Sequence, residues 1–282
     1  MTEFENFLNE IGLNLNHQIL VHSSFKAINK SFHISGQEVI SSLKNSVNPE
    51  KGSIIFPAFT YCFKNSYNSN EIFDRNLSPS KVGYLSELFR NSENVIRTLS
   101  PTHSFSMWGK VTSIFDESNS PESPLGKDSI CAWLDESDNS YVLMLNTDFS
   151  AFTMGHFYEI KYQVPWYDFS PWQHLGVEKI GVSTNGAQKL KEIPGCAKSF
   201  TNFESYLLDR NLISRFYHND FWAYYVNLSK IKSETEYFYK NKFINLLCDS
   251  GKCKTCDSRR EFLMESGLLC ITYYSYSRFL LL

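Results

Sequence analysis

The sequence predicts an α/β fold with ligand-binding loops at the ends of its strands. A strand-like apolar run, a polar loop and a helical pattern follow one another at least three times along the 282 residues. This alternation is typical of sheets whose carboxyl ends carry functional loops. Apolar residues make up 42% of the chain and aromatic residues 16%, so a large core can form.

The first half of the chain contains two strand-to-helix units. An apolar run that ends at Ser23-Ser24 predicts a buried strand, and apolar residues at helical spacing predict the helix that follows. The predicted elements are strands over His17–His22 and Ser53–Pro57, helices over Ser35–Leu43 and Tyr84–Arg90, and a loop over Leu77–Gly83.

The second half has one strong strand and weaker patterns after it. Tyr141–Asn146 is a continuous apolar run, which indicates a strand buried on both faces. Helices are expected directly after it, over Phe200–Leu208 and over Lys232–Leu247. Irregular structure is expected over Arg97–Gly109, Ser118–Gly126 and the tail Cys248–Leu282.

Composition and charge exclude several classes of protein. The net charge of −3 argues against a nucleic-acid binder, which needs clustered Lys and Arg. No apolar run reaches the ~18 residues of a membrane span, and the acidic segment Met1–Glu10 lacks the pattern of a secretory signal. Seven cysteines without such a signal indicate reduced thiols, so we expect a cytoplasmic protein.

His156 and Glu159 are the first candidates for chemistry. Thr153 is a suitable N-cap, which would place His156 in the first turn of a helix with Glu159 on the same face. A neutral histidine held by a carboxylate can accept a proton during a reaction. The alternative is a surface helix with an incidental pair, because this spacing is common.

Two further segments carry polar side chains beside predicted strands. His22, Ser23 and Ser24 lie at the end of a buried strand, where hydroxyls and backbone N–H groups suit a phosphate or amide. His103 and Ser104 lie in an aromatic-rich loop. A nucleophilic serine is conceivable there, but no G-x-S-x-G motif is present. The alternatives are an ordinary turn and an ordinary structural loop.

The cysteines near the carboxyl end raise the question of a metal. Cys253 and Cys256 have C-x-x-C spacing, with Cys248 before them and Cys270 after them. Four thiols could bind zinc tetrahedrally. The outer pair lacks the paired spacing, so free thiols in an irregular tail are the preferred interpretation, and no metal is predicted.

Taken together, these segments resemble the aminoglycoside 3-N-acetyltransferase (antibiotic N-acetyltransferase) family. The resemblance covers about Ile19–Pro165 and depends on motifs in the same order. They are Val21–Ser24, Gly52–Thr60, Phe73-Asp74, Ser78–Gly83, Glu87–Arg90, Arg97–Phe105 with Gly109, Pro124–Gly126 and His156–Glu159.

The resemblance implies one domain over 1–282 with a mixed central sheet flanked by helices. The family-like core covers about 17–170, and 171–282 would shape the acceptor side. It also implies direct acyl transfer from acyl-CoA to a primary amine, without a metal, by the His156–Glu159 pair. The other implied site residues are His22, Ser23, Ser24, His103, Ser104 and Phe105 for CoA, and Thr60, Asp74 and Trp166 for the acceptor.

The acceptor is the least determined part of this expectation. The segment Tyr158–Tyr239 is rich in aromatic rings, which suit stacking on a nucleobase or a sugar. We therefore predict a nucleotide-linked amino sugar, with an aminoglycoside antibiotic as the alternative. An acyl-CoA hydrolase and a non-catalytic CoA-binding module are further alternatives, and a homodimer is left open.

Overall fold

A mixed seven-stranded β-sheet lies at the centre of the protein. The structure is a computed structural model that describes residues 1–65, 71–172 and 175–267. Its strands are β1 (Gln18–Ser23), β2 (Ser53–Pro57), β3 (Ile96–Arg97), β4 (Phe105–Gly109), β5 (Ser140–Leu145), β6 (Ile180–Ser183), β7 (Gly186–Lys189), β8 (Arg215–His218) and β9 (Phe221–Asn227). The sheet has the order β3-β4-β2-β1-β5-β9-β8, and β6 pairs with β7 separately.

The three central strands are parallel. β1 pairs with β2 on one side and with β5 on the other, so that Gln18 lies opposite both Ser53 and Ser140. The outer pairs β2–β4, β3–β4, β5–β9 and β8–β9 are antiparallel. The carboxyl ends of β2, β1 and β5 therefore meet at one edge of the sheet, where ligands bind in open α/β folds.

Helices cover both faces of this sheet. Within the described ranges they are α1 (Glu3–Glu10), α2 (Phe25–Phe32), α3 (Gly36–Asn45), α4 (Tyr84–Arg90), α5 (Ile130–Glu136), α6 (Thr153–Lys161), α7 (Phe200–Asp209), α8 (Leu228–Asn241) and α9 (Lys254–Glu265). None of these helices has the length and apolar character needed to cross a membrane.

Local sequence explains where two of the helices begin. Thr2 and Ser35 are N-caps whose hydroxyls accept from the backbone N–H of Glu5 and Glu38, and each glutamate bonds back to its cap. This reciprocal capping box satisfies two otherwise unpaired donors of the first turn.

The strands divide their side chains between two apolar cores. In β1, Leu20 joins the core under α5–α9, whereas Ile19 and Val21 join the core under α1–α4. β5 alternates in the same way, with Val142 in the first core and Leu143 in the second. The expectation of a mixed central sheet flanked by helices is confirmed.

Two segments that were predicted to be irregular contain regular structure. Phe105–Gly109 is strand β4, not irregular structure, and it pairs with β2 from Pro57↔Phe105 to Ser53↔Gly109. The tail is also not wholly irregular, because Lys254–Glu265 forms α9. The buried face of α9 consists of Thr255, Cys256, Arg259 and Leu263, so no apolar periodicity reveals the helix.

Candidate active site

A cavity of about 630 Å³ opens at the edge where the parallel strands end. The residues that these strands contribute to its lining are His22 and Ser23 of β1, Pro57 at the end of β2 and Thr147 just after β5. The size and mixed polar and apolar lining are those of a small-molecule site. The aromatic part of the wall is Phe59, Tyr61, Phe63, Phe152 and Trp172.

Helix α6 brings His156 to this cavity. The helix begins at Thr153, and the N-cap residue is Phe152, which cannot cap through its side chain. The prediction that Thr153 is the cap was therefore off by one residue. Gly155 permits a close approach of α7, since a Cβ there would lie 2.4 Å from the ring of Phe200. The imidazole of His156 packs edge-on against that ring, at 4.9 Å between centroids.

His156 and Glu159 form a hydrogen-bonded pair. The distance from His156 Nδ1 to Glu159 Oε2 is 2.8 Å, and the exposed fractions of the two side chains are 12% and 4%. An ionised carboxylate can only accept hydrogen bonds, so Nδ1 carries the proton in the neutral imidazole. The other ring nitrogen, Nε2, is then the basic atom, and it can take a proton from a bound ligand.

Glu159 is held as an anion by two buried neighbours. The Trp166 indole N–H donates to Glu159 Oε1 at 2.9 Å, and Arg259 Nη1 lies 3.2 Å from the same oxygen. Burial alone would raise the pKa of Glu159. The charge of Arg259 and the hydrogen bonds from His156 and Trp166 outweigh it, so this pKa lies below its ordinary value.

Two further histidines, His22 and His103, line the same cavity in the neutral form. Burial lowers the pKa of His22 to about 3. Burial, together with the positive charge that His156 can carry, lowers the pKa of His103 to about 3. His103 bonds to the hydroxyl of Thr102 at 3.0 Å, whereas His22 Nε2 is buried without a hydrogen-bond partner among the described residues.

His103 should make folding sensitive to acid. An unfolded histidine gains its proton near its ordinary pKa of 6.5, whereas folded His103 stays neutral until far lower pH. Its contribution to stability is therefore complete above pH 6.5 and is lost as the pH falls. We expect the free energy of unfolding of wild type, relative to His103→Gln, to fall by about 1.4 kcal/mol per pH unit below about pH 6.

Urea unfolding of both proteins at pH 7, 6 and 5 measures this difference. Comparing the two proteins cancels the contributions of the other titrating groups, which they share. Parallel stability curves would show that His103 titrates normally in the folded protein.

Four of the predicted site residues line the cavity: His22, Ser23, His103 and His156. Three residues predicted on the CoA side, Ser24, Ser104 and Phe105, do not. Ser24 occupies the N-cap position of α2. The Ser104 hydroxyl donates to the carbonyl of Ala58 at 2.8 Å and accepts from Arg97 Nε at 3.0 Å, which leaves it no role as a nucleophile. Phe105 is buried in the core.

The three residues predicted to contact the acceptor also lie outside the cavity lining. The Thr60 hydroxyl donates to the carbonyl of Pro101 at 2.8 Å. The Asp74 carboxylate accepts from the backbone N–H groups of its own turn. Trp166 is fully buried and bonds to Glu159. The structure therefore places none of these side chains at the cavity, where the sequence suggested them, because each is engaged by the protein itself.

Sequence reasoning also missed parts of the site. The segment 193–197 contributes Ile193, Pro194, Gly195 and Ala197 to the cavity wall, and Arg259 supports Glu159 from α9. Neither lies in a recognisable motif. The C-x-x-C pair three residues before Arg259 was the only signal near it.

Residues 20–232 match the model of the family described as aminoglycoside 3-N-acetyltransferase. A relative from Bacillus subtilis (strain 168), the SPbeta prophage-derived aminoglycoside N(3')-acetyltransferase-like protein YokD, is 27% identical over 177 aligned positions. That match covers 56% of this chain and 63% of the relative, so it spans less than two thirds of the relative's length.

Solved structures of similar fold extend over most of the chain. A mutant of aminoglycoside acetyltransferase AAC(3)-IVa in complex with a gentamicin has a TM-score of 0.75 and 21% sequence identity. The aligned region covers 92% of this chain and 95% of the mutant's chain. AAC-IIIb in a binary complex with CoASH has a TM-score of 0.66 and 17% identity, with coverage of 86% and 97%. At these identities the likeness establishes the fold.

Proposed function

The chain belongs to the aminoglycoside 3-N-acetyltransferase family, and from this premise we propose that it transfers an acyl group from acyl-CoA to a primary amine of an amino sugar. The observation that carries the proposal is the His156–Glu159 pair at a cavity beyond the ends of parallel strands. A base in such a position is what amine acylation requires, because a sugar amine is largely protonated near neutral pH and is nucleophilic only after it loses a proton.

The transfer step follows from the positions of the two side chains. His156 Nε2 takes the extra proton of the bound ammonium group, and the neutral amine nitrogen then attacks the thioester carbonyl carbon and forms the new C–N bond. The nitrogen loses its second proton to water as the amide forms. Glu159 keeps the ring oriented and stabilises the imidazolium that forms. The C–S bond then breaks, and the CoA thiolate leaves and is protonated from the imidazolium or from water. General-base catalysis of this kind contributes about 10²–10⁴-fold to the rate.

Two polar groups could stabilise the oxyanion that develops during this attack. The buried hydroxyl of Thr147 has no hydrogen-bond partner among the described residues, and it lines the cavity just after β5. The Ser23 hydroxyl lines the cavity at the end of β1. Donors fixed in advance at this place are worth several kcal/mol in acyl transfer. Thr60, which was predicted to contact the acceptor, is not free for this role, because its hydroxyl donates to the carbonyl of Pro101.

An aminoglycoside is the acceptor class that the comparisons favour, over the nucleotide-linked amino sugar predicted from the aromatic content. Family membership and the gentamicin complex of a structural neighbour support it. One observation supports the nucleotide-linked amino sugar as a second candidate. Among the residues that the structure describes, no Asp or Glu lines the cavity, whereas a polycationic aminoglycoside is best complemented by carboxylates.

We also infer that residues 171–282 belong to the same functional unit as the family-like core. Residues 193–197 contribute to the cavity wall, and Arg259 pairs with Glu159. A fragment that lacked α9 would leave the carboxylate of the proposed dyad without its cation.

CoA and acetyl-CoA should stabilise the folded protein. Ligand that binds only the folded state at about 100 times its Kd adds about 2.7 kcal/mol, which corresponds to a rise in Tm of about 5 °C for a chain of this size. NAD and ATP at equal concentration should cause a much smaller rise. A thermal melt with each compound measures this, and no rise with saturating CoA would contradict the proposed donor.

Ser23→Trp and Ser24→Trp form a matched pair for locating the donor. Ser23 lines the cavity and Ser24 does not, although the two are adjacent in the chain. We expect the bulky indole to weaken CoA binding at least tenfold in Ser23→Trp and to change it little in Ser24→Trp. Equal CoA affinity in the two variants would place the donor elsewhere.

A further inference from the structure

Four cysteines from two distant parts of the chain come together beside a segment that lines the cavity. The Sγ atoms of Cys196, Cys248, Cys253 and Cys256 all lie within 4.8 Å of one another. The sequence predicted free thiols here and considered Cys270 as the fourth member of a cluster. Cys270 lies outside the described residues, and the fourth thiol within them is Cys196, which is 52 positions before Cys248 in the chain.

The separation of the sulfur atoms distinguishes two kinds of site. Cys196 Sγ and Cys248 Sγ are 3.6 Å apart. A disulfide would require about 2.05 Å. Four thiolates around one zinc ion at about 2.3 Å stand about 3.8 Å apart when the geometry is tetrahedral. The observed separation is close to the second value and far from the first.

We propose that Cys196, Cys248, Cys253 and Cys256 bind one zinc ion in a closed, structural site. A set of four thiolates with C-x₄-C-x₂-C spacing in its later part is typical of structural zinc, and it leaves no open position for a substrate. The thiols lose their protons when the metal binds, and the excess negative charge needs nearby donors. The backbone N–H of Lys198 donates to Cys196 Sγ at 3.4 Å.

The site would fasten α9 to the cavity wall. Cys253 immediately precedes α9 and Cys256 lies in its first turn, whereas Cys196 lies between Gly195 and Ala197, which both line the cavity. Arg260 of α9 also donates to the backbone carbonyl of Cys248. One metal ion would therefore connect the segment around Cys196 with the segment that begins at Cys248, 52 positions later in the chain.

The same helix supports the proposed catalytic pair. Arg259 follows Cys256 by three residues, is 2% exposed and pairs with Glu159. Gly195 leaves room for the guanidinium of Arg259, since a Cβ at this position would lie 2.5 Å from Arg259 Nη2. The zinc site thus acts as a positioning element for Arg259, and no catalytic step passes through the metal. The zinc proposal and the proposed role of His156 and Glu159 are tested separately, because metal content is measured without substrate. Either proposal can be wrong while the other is right.

Elemental analysis of the full chain, purified without chelators under reducing conditions, tests the proposal. We expect about one zinc per chain in wild type and close to none in Cys248→Ala. The matched control is Cys131→Ala, because Cys131 is a fully buried cysteine of α5 that lies outside the cluster. The control should keep about one zinc.

A second measurement applies whether or not the variants fold. When cobalt replaces the bound metal in wild type, the absorption spectrum should show the intense visible bands of tetrahedral cobalt. Charge-transfer bands from sulfur to cobalt should accompany them. The proposal would be overturned if wild type contained no metal and these four cysteines were free thiols. It would also be overturned if they were joined by disulfides. Iron in place of zinc, or loss of zinc from Cys131→Ala alone, would overturn it as well.

Discussion

His156→Ala should lower turnover by about two to four orders of magnitude, the usual size of a lost general base. The reason is that Nε2 of His156 is the basic atom which Glu159 leaves free at the cavity. Binding of CoA should stay near the wild-type value, since the imidazole is assigned to the amine. Steady-state kinetics at saturating acetyl-CoA, with CoA affinity taken from thermal melts, separate the two effects.

The matched variants for this prediction are Glu159→Gln and His103→Ala. Glu159→Gln should cost less, because an amide can still orient the ring but cannot stabilise the imidazolium. His103→Ala should also cost less, because burial keeps His103 neutral, with a pKa of about 3, and its hydrogen bond goes to Thr102. A nearly inactive His103→Ala beside a nearly normal His156→Ala would mean that the base has been misassigned.

Arg259→Met should lower the free energy of unfolding by about 3–5 kcal/mol at pH 7, the range for a buried ion pair that loses one partner. Methionine keeps much of the volume against Trp166 but leaves the Glu159 carboxylate buried without its cation. The loss should shrink as the pH falls towards 4. Without Arg259 the pKa of Glu159 rises, so the variant can protonate this carboxyl and relieve the buried charge.

Arg210→Met is the control for this substitution. Arg210 pairs with Glu234 at 3.3 Å, but its side chain is 42% exposed, and surface pairs of this kind contribute about 1 kcal/mol or less. Urea unfolding of the two variants at pH 7 and at pH 4 gives the comparison. Equal losses at pH 7, or a loss in Arg259→Met that grows on acidification, would show that the Glu159–Arg259 contact is not a stabilising ion pair.

The central part of the fold could be predicted because its local and tertiary signals agree. β1, β2 and β5 are buried on both faces, so their sequences are continuous apolar runs. Tyr84–Arg90 was predicted with its observed bounds. β9 was missed, although it is the neighbour of β5, because Tyr and Trp occupy both of its faces and hide the alternation.

Spacing along the chain could predict only those contacts of the site whose residues are close in sequence. His156 and Glu159 are three residues apart, and this spacing places their side chains on the same face of a helix. Ser23 was predicted as a site residue because it stands at the end of a predicted strand. The partners of Glu159 come from tertiary packing, since Trp166 and Arg259 lie in other elements. The same holds for Cys196, because no spacing rule connects it with a cluster that begins at Cys248.

Release of CoA that depends on an amine distinguishes an N-acyltransferase from a hydrolase. Wild-type protein would be given acetyl-CoA with gentamicin, with a nucleotide-linked amino sugar, or with no acceptor, and free thiol would be followed over time. We expect rapid release only when an amino sugar is present, and mass spectrometry and NMR should show one acetyl group on a nitrogen of the product. Release at the same rate without an acceptor would indicate a hydrolase, and no release from any acyl-CoA tested would contradict acyl transfer altogether.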